Sequence, residues 1–123
     1  MTHAFLPLLR RRCVDALGFS LAGFRRAWQE EAFRVEVCLA IPLTPLALWL
    51  GGSPIERVVL VGSLAVILIV ELLNTAVEVV VDRISVERHP LSKQAKDLGS
   101  AAVLVALLFG ILVWSLVLWP TSG

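Results

Sequence analysis

The strongest constraint in this sequence is an apolar segment of membrane length, residues 58–81, that nevertheless carries polar side chains. In a helical conformation Glu71, Asn74, Thr75 and Glu78 share one face, because residues three, four and seven positions apart lie on the same side. A carboxylate at bilayer depth costs about 2.5–3.5 kcal/mol on insertion scales, so such groups normally face a protein interior or water. A seam that only joins helices explains Asn74 and Thr75 but not two acids. The polar face therefore predicts a functional site.

The composition identifies a membrane protein. Hydrophobic residues make up 58% of the 123 residues and the mean hydropathy is +0.85, which exceeds what a soluble domain of this length buries. Ten of the eleven Lys and Arg residues lie in segments 10–34 and 83–96, and the positive-inside rule places both segments in the cytoplasm. The formal net charge of only +1 gives no indication of a nucleic-acid partner, and none is expected.

The pattern along the chain predicts a single membrane domain. Residues 8–29 carry apolar side chains every three or four positions with arginines between them, which is typical of an amphipathic helix in the lipid headgroup layer. Apolar segments follow at 35–50, 57–81 and 98–119, with a polar cytoplasmic loop at 82–97. The predicted fold class is an all-α membrane protein with three transmembrane helices plus an N-terminal amphipathic surface helix. With the N-terminus in the cytoplasm, three spans put the C-terminus on the periplasmic side.

The polar groups are predicted to meet at the cytoplasmic membrane surface. The acids of the second span, the adjacent acids Glu30 and Glu31 and the loop pair Lys96 and Asp97 all converge there. A site at this depth is open to a lipid from the bilayer and to a water-soluble cosubstrate from the cytosol. Carboxylates without cysteine, and with no histidine on the spans, favour a hard cation such as Mg²⁺. With Arg and Lys nearby, phosphoryl transfer is the reaction class that these groups suit, although the usual nucleotide-binding motifs are absent from the sequence.

Two motifs connect the sequence with a known family. Residues 71–84 read ELLNTAVEVVVDRI, and residues 95–103 read AKDLGSAAV. Both resemble the signature of the small bacterial integral-membrane diacylglycerol kinases, and the resemblance extends from about residue 12 to residue 119. It implies a lipid kinase of the bacterial inner membrane that uses MgATP to phosphorylate the hydroxyl of diacylglycerol, giving phosphatidic acid. It also implies a homotrimer with active sites shared between neighbouring subunits.

The resemblance also implies roles for particular residues. Glu71 resembles the catalytic base and Glu78 a ligand of Mg²⁺, while Phe19 stands where the family often has a tyrosine near the nucleotide. The residues that the resemblance assigns to ATP are Arg12, Phe19, Glu31, Glu78, Glu87, Arg88, His89, Lys96 and Asp97. Those that it assigns to the lipid substrate are Arg12, Asn74, Ser100 and Trp114.

The second metal ligand stays open between two adjacent acids. The family commonly reads EAAFR at this point, whereas residues 30–34 of this chain read EEAFR. Counting from Trp28 selects Glu31, and counting back from Phe33 selects Glu30. The register of the upstream residues favours Glu31.

Two other functions remain as alternatives. Gram-positive enzymes that resemble this family phosphorylate undecaprenol, which makes another lipid alcohol the second choice of acceptor. A small proton-coupled exporter with Glu71 as its proton carrier is the third choice. Such exporters usually have an even number of spans and little cytosolic loop, unlike this chain. The N-terminal part of the sequence resembles the Gram-negative diacylglycerol branch more closely.

Overall fold

Four α-helices make up residues 5–120, the part of the chain that the structure, a computed structural model, describes. The helices are α1 (Phe5–Ala27), α2 (Glu31–Leu50), α3 (Pro54–Ile84) and α4 (Pro90–Leu118). By length and composition α2, α3 and α4 are able to cross a membrane, whereas α1 is less apolar. The predicted fold class of three spans plus an N-terminal helix is confirmed, and the chain is a multi-pass membrane protein.

The turn between α2 and α3 is closed by the first residues of α3. Arg57 Nε donates to the carbonyl oxygen of Gly51 (3.2 Å), and the Gly52 N–H donates to Glu56 Oε2 (2.6 Å). Ser53 caps α3 because its Oγ accepts a hydrogen bond from the Glu56 N–H (3.2 Å). A Cβ atom on Gly51 would lie 2.5 Å from Arg57 Cγ, so close approach requires glycine there. The connection therefore makes α2 and α3 antiparallel neighbours.

The non-helical connection between α3 and α4 is shorter than the predicted loop 82–97. The two helices include most of that segment, and only residues 85–89 lie outside them. His89 caps α4, because its Nδ1 accepts a hydrogen bond from the Leu91 N–H (3.1 Å), and Pro90 suits the first helical position. Both helices therefore continue beyond their apolar segments as polar turns.

Helix α1 makes little contact with the rest of the described chain. Ala27 is its only buried residue, and the packed helix pairs are α2 with α3 and α3 with α4. The end of α1 is joined to α2 through Arg34 Nη1, which donates to the Trp28 carbonyl oxygen (3.1 Å). A helix that exposes arginines together with apolar side chains is suited to a lipid surface or to another subunit.

Helix α3 lies between α2 and α4 and forms the centre of the fold. Ala47, Leu60 and Val113 form a buried cluster with one residue from each spanning helix. Ala106 and Gly110 of α4 are also buried, as expected for small residues that let helix backbones approach closely. Most other apolar side chains of the spans are exposed, which suits contact with lipid chains or with further helices.

Candidate active site

The acidic face of α3 lines a pocket of about 240 Å³ at which three helices meet. The residues that line it are Glu71, Asn74, Thr75 and Glu78 of α3, Glu30 and Ala32 at the start of α2, and Ser100 and Val103 of α4. The helical spacing in the sequence therefore identified four groups that share one cavity wall. The other walls come from parts of the chain about 40 residues before and 30 residues after Glu71.

Glu71 is the most deeply buried acid of this pocket. Only 5% of the residue is exposed, and Thr75, one turn further along α3, is buried as well. Among residues 5–120 no Lys or Arg side chain forms an ion pair with Glu71. A buried carboxyl group without a cation costs free energy that a purely structural role does not recover. Its position therefore favours a role in chemistry.

Asn74 connects to the second acid of the pocket. Its Nδ2 donates to Glu78 Oε1 (3.4 Å), one turn along the same helix. Its Oδ1 is buried and receives no hydrogen bond from any residue in the described range. The Asn74 amide is therefore held through its nitrogen, while its oxygen has no partner within residues 5–120.

Of the two adjacent acids at the start of α2, Glu30 lies in the pocket. Glu30 is the N-cap residue of α2 and is half-buried, and Arg26 Nη1 lies 2.7 Å from its Oε1. Glu31, which the upstream register favours as the metal ligand, is exposed and is not among the residues that line the pocket. The geometry therefore brings Glu30, rather than Glu31, together with Glu71 and Glu78.

Glu36 is a further acid that the sequence analysis did not place in the site. Its Oε2 atom is buried and has no hydrogen-bond partner within residues 5–120, and its carboxyl group lies beside that of Glu71. The available signal was an acidic residue inside the apolar helix α2. The candidate site thus extends from the start of α2 to the second turn of that helix.

A larger groove of about 720 Å³ lies on the polar side of the pocket, between the ends of α3 and α4. All five loop residues that the resemblance assigns to ATP line it, namely Glu87, Arg88, His89, Lys96 and Asp97. Asp82 also lines the groove, one helical turn or about 6 Å along α3 from Glu78. The groove and the pocket are therefore neighbours along the same face of α3.

The charged residues of the groove pair with one another. Lys96 Nζ lies 2.8 Å from Asp82 Oδ1, which joins α4 to α3, and Lys93 Nζ lies 2.7 Å from Asp97 Oδ2. All four side chains are substantially exposed, and exposed pairs of this kind contribute only about 0–1 kcal/mol. An anionic ligand is therefore able to replace the carboxylates as the partner of these lysines at little cost in free energy.

Two predicted nucleotide contacts lie outside both cavities. Arg12 and Phe19 are exposed residues of α1, and neither is among the lining residues. The structure of one chain thus does not bring α1 to the groove. Their roles at the nucleotide stay predictions.

Trp114 also lies away from the pocket, in the core of the α3–α4 packing. Its Nε1–H donates to Ser63 Oγ (3.1 Å), and the Ser63 hydroxyl donates to the Leu60 carbonyl oxygen (2.7 Å). Ser63 is eight residues before Glu71, or about 12 Å along α3. The geometry gives Trp114 a contact between helices and does not bring it to the other residues assigned to the lipid.

We expect Ser63→Ala to lower the stability of the fold by about 1–3 kcal/mol, because it leaves the Trp114 Nε1–H unpaired in an apolar core. Activity per folded molecule is expected to stay within twofold of the parent. Thermal unfolding in detergent, with activity assays on the same preparations, measures both quantities. The matched control is Ser115→Ala, since Ser115 is an exposed serine on α4, next to Trp114. Equal stability of the two variants would contradict a stabilising hydrogen bond between Trp114 and Ser63.

The oxygen-rich pocket fits a magnesium ion better than a zinc ion. Within the described residues no three His, Cys, Asp or Glu side chains form a complete metal site. Mg²⁺ does not require one, because it usually binds one or two carboxylates together with waters and substrate phosphates. Glu30 and Glu78 supply carboxylate oxygens, which are donors of the kind that Mg²⁺ prefers.

Comparisons with known proteins agree over most of the chain. The sequence model of the prokaryotic diacylglycerol kinase family matches residues 18–118. A diacylglycerol kinase of Escherichia coli is 45% identical over 113 residues, which cover 91% of this chain and 93% of that protein. A diacylglycerol kinase of Pseudomonas aeruginosa is 50% identical over 109 residues, 88% of this chain and 89% of the relative. One from Haemophilus influenzae is 45% identical over 107 residues, with 86% and 91% covered.

Proposed function

This chain belongs to the prokaryotic diacylglycerol kinase family, and we propose that it transfers the γ-phosphate of ATP to the hydroxyl of diacylglycerol, forming phosphatidic acid. The observation that carries the proposal is the adjacency of a buried acidic pocket and a charged groove along one face of α3. The pocket includes Glu71, which lies within the apolar segment of α3, at a depth where a lipid has access from the bilayer. The groove lies among polar helix ends, where a nucleotide has access from water.

Glu71 acts as the general base in this proposal. The lipid oxygen attacks the γ-phosphorus while the Glu71 carboxylate takes the hydroxyl proton, and the bond from the γ-phosphorus to the bridging oxygen breaks to release ADP. Burial and the lack of a paired cation in the described chain support the role, since both keep the carboxylate available for a proton. Thr75 and Asn74 flank the base and supply polar contacts for the acceptor hydroxyl.

Glu78 and Glu30 would hold Mg²⁺ together with the ATP phosphates. The ion, when bound, neutralises charge on the phosphates and so favours their transfer. Glu78 is kept in place by the Asn74 Nδ2 hydrogen bond, and Glu30 by its ion pair with Arg26. Both acids face the pocket from different helices, which supports the choice of Glu30 over Glu31.

The groove residues would bind the nucleotide. Lys96 and Lys93 exchange their exposed carboxylate partners for phosphate oxygens, which carry more charge. Arg88 adds a cation at the rim of the groove. His89 takes part by capping α4, which fixes the backbone of the loop beside the nucleotide.

The proposal includes a homotrimer in the bacterial inner membrane, with the N-terminus in the cytoplasm and the C-terminus in the periplasm. The exposed helix α1 supports shared sites, because Arg12 and Phe19 are exposed and lie outside both cavities of their own chain. The extensive exposed apolar surface of the spans supports association in the same way. The two basic segments support the orientation through the positive-inside rule.

Transfer of labelled phosphate from MgATP tests the acceptor directly. Diacylglycerol and undecaprenol are offered side by side to the purified protein in detergent or bilayers, and the labelled lipid is identified. We expect the label in phosphatidic acid. Label in the polyprenol would instead assign the undecaprenol branch. Label in neither lipid, with folded protein, would contradict the kinase proposal, and cation transport driven by a pH gradient without ATP would assign an exporter.

A further inference from the structure

Gly99 of α4 faces a polar side chain of α3 at very close range. A Cβ atom on Gly99 would overlap Asn74 Oδ1 and would lie 3.2 Å from Asn74 Cγ. The other glycine of the α3–α4 contact, Gly110, would meet only Ile67 Cδ1, the end of a flexible apolar side chain, at 3.0 Å. The missing side chain at Gly99 therefore makes room for a group of the candidate active site, whereas Gly110 serves ordinary helix packing.

Asn74 is held between Gly99 and Glu78. Its Nδ2 donates to Glu78 Oε1 (3.4 Å), and a carboxylate accepts hydrogen bonds but donates none. The NH₂ end of the amide must therefore face Glu78, and the Oδ1 atom lies against Gly99. This Oδ1 atom is buried and unpaired within the described residues. Any group added at position 99 thus displaces the amide that contacts Glu78.

We propose that Gly99 is a positioning residue for phosphoryl transfer, because its missing side chain seats the Asn74 amide that orients the Glu78 carboxylate. The inference rests on the proposed function in one respect, namely that Glu78 binds Mg²⁺. Removing hydrogen bonds that orient metal-binding groups typically lowers metal affinity by about 10–100-fold. The small residue at position 99 accordingly has a role in metal binding as well as in helix packing.

The substitution Gly99→Ala tests this role through metal affinity. We expect the Mg²⁺ concentration that gives half-maximal activity to rise at least about tenfold. Binding of Mn²⁺ in the presence of a non-hydrolysable ATP analogue, measured by electron paramagnetic resonance, is expected to weaken by a similar factor. Gly110→Ala is the matched control on the same helix, and it is expected to change either value by less than about twofold.

A double substitution separates positioning from packing. Asn74→Ala removes both the hydrogen bond to Glu78 and the side chain with which a new Cβ collides, so it is expected to weaken Mn²⁺ binding about tenfold by itself. Adding Gly99→Ala to Asn74→Ala is expected to weaken it by less than about twofold more, because both changes remove the same contact. If Gly99→Ala alone does not fold, the double variant is expected to fold, and that rescue supports the same contact.

Several outcomes would overturn the proposal. Unchanged Mn²⁺ affinity in folded Gly99→Ala would do so. So would a double variant whose loss of Mn²⁺ affinity equals the product of the losses in Gly99→Ala and Asn74→Ala. A double variant that fails to fold would assign Gly99 to packing alone. If the wild-type protein binds Mn²⁺ and transfers phosphate while Gly99→Ala behaves like Gly110→Ala, only the positioning role of Gly99 is contradicted. A wild-type protein without metal-dependent binding or transfer would remove the proposed function too.

Discussion

Glu71→Gln is expected to lower the rate of phosphate transfer to diacylglycerol by about 10²–10⁴-fold, the range that a general base contributes. Glutamine has nearly the same shape as glutamate, but its amide does not accept the hydroxyl proton. Nucleotide binding is expected to stay within about twofold of the parent, because the groove residues lie about 10 Å or more along α3 from Glu71. Labelled transfer at saturating lipid and MgATP measures the first quantity, and equilibrium binding of an ATP analogue measures the second.

The matched control for this variant is Glu56→Gln. Glu56 lies on the same helix at the opposite membrane face, and its Oε2 accepts a hydrogen bond from the Gly52 N–H. A glutamine keeps an oxygen that accepts the same hydrogen bond, so transfer is expected to remain within about twofold of the parent. Transfer at the parental rate by folded Glu71→Gln would remove the proposed base. Loss of nucleotide binding together with transfer would assign Glu71 to binding instead.

The central helix and its polar face were predictable because they depend on local rules. A helical period places Glu71, Asn74, Thr75 and Glu78 on one side whatever the rest of the chain does, and the cost of acids in lipid predicts a functional site on that side. The three spans follow from hydropathy in the same way. Helix ends were less predictable, because the cap at His89 extends α4 into a segment that polarity alone assigns to a loop.

The opposite walls of the pocket depend on contacts that a single sequence does not contain. Glu30 lines the pocket and Glu31 does not, and this difference depends on the rotation of the first turn of α2 relative to the rest of the fold. The bond from Trp114 to Ser63 joins residues 51 positions apart, and no local pattern indicates such a pair. Small residues at 99, 106 and 110 suit a close helix approach, but no local pattern indicates that Gly99 faces the Asn74 amide.

The second large effect on the transfer rate is expected from substitution of the two adjacent acids at the start of α2. We expect Glu30→Gln to lower kcat/KM at limiting Mg²⁺ by about 100-fold, equivalent to about 2.7 kcal/mol of transition-state stabilisation, because a neutral amide is a weaker metal ligand than a carboxylate. Glu31→Gln is expected to lower it by less than about threefold, since Glu31 is exposed and outside the pocket. Magnesium titrations of the transfer rate measure both variants under one protocol.

Arg26→Gln separates the metal role of Glu30 from its ion pair. This substitution removes the partner that lies 2.7 Å from Glu30 Oε1 but leaves the carboxylate in the pocket. The exposed pair contributes about 0–1 kcal/mol, so a loss of at most about fivefold is expected. Excess Mg²⁺ is expected to restore part of the rate of Glu30→Gln, because weaker binding is offset by concentration. A larger loss in Glu31→Gln than in Glu30→Gln would reverse the assignment and favour the register counted from Trp28.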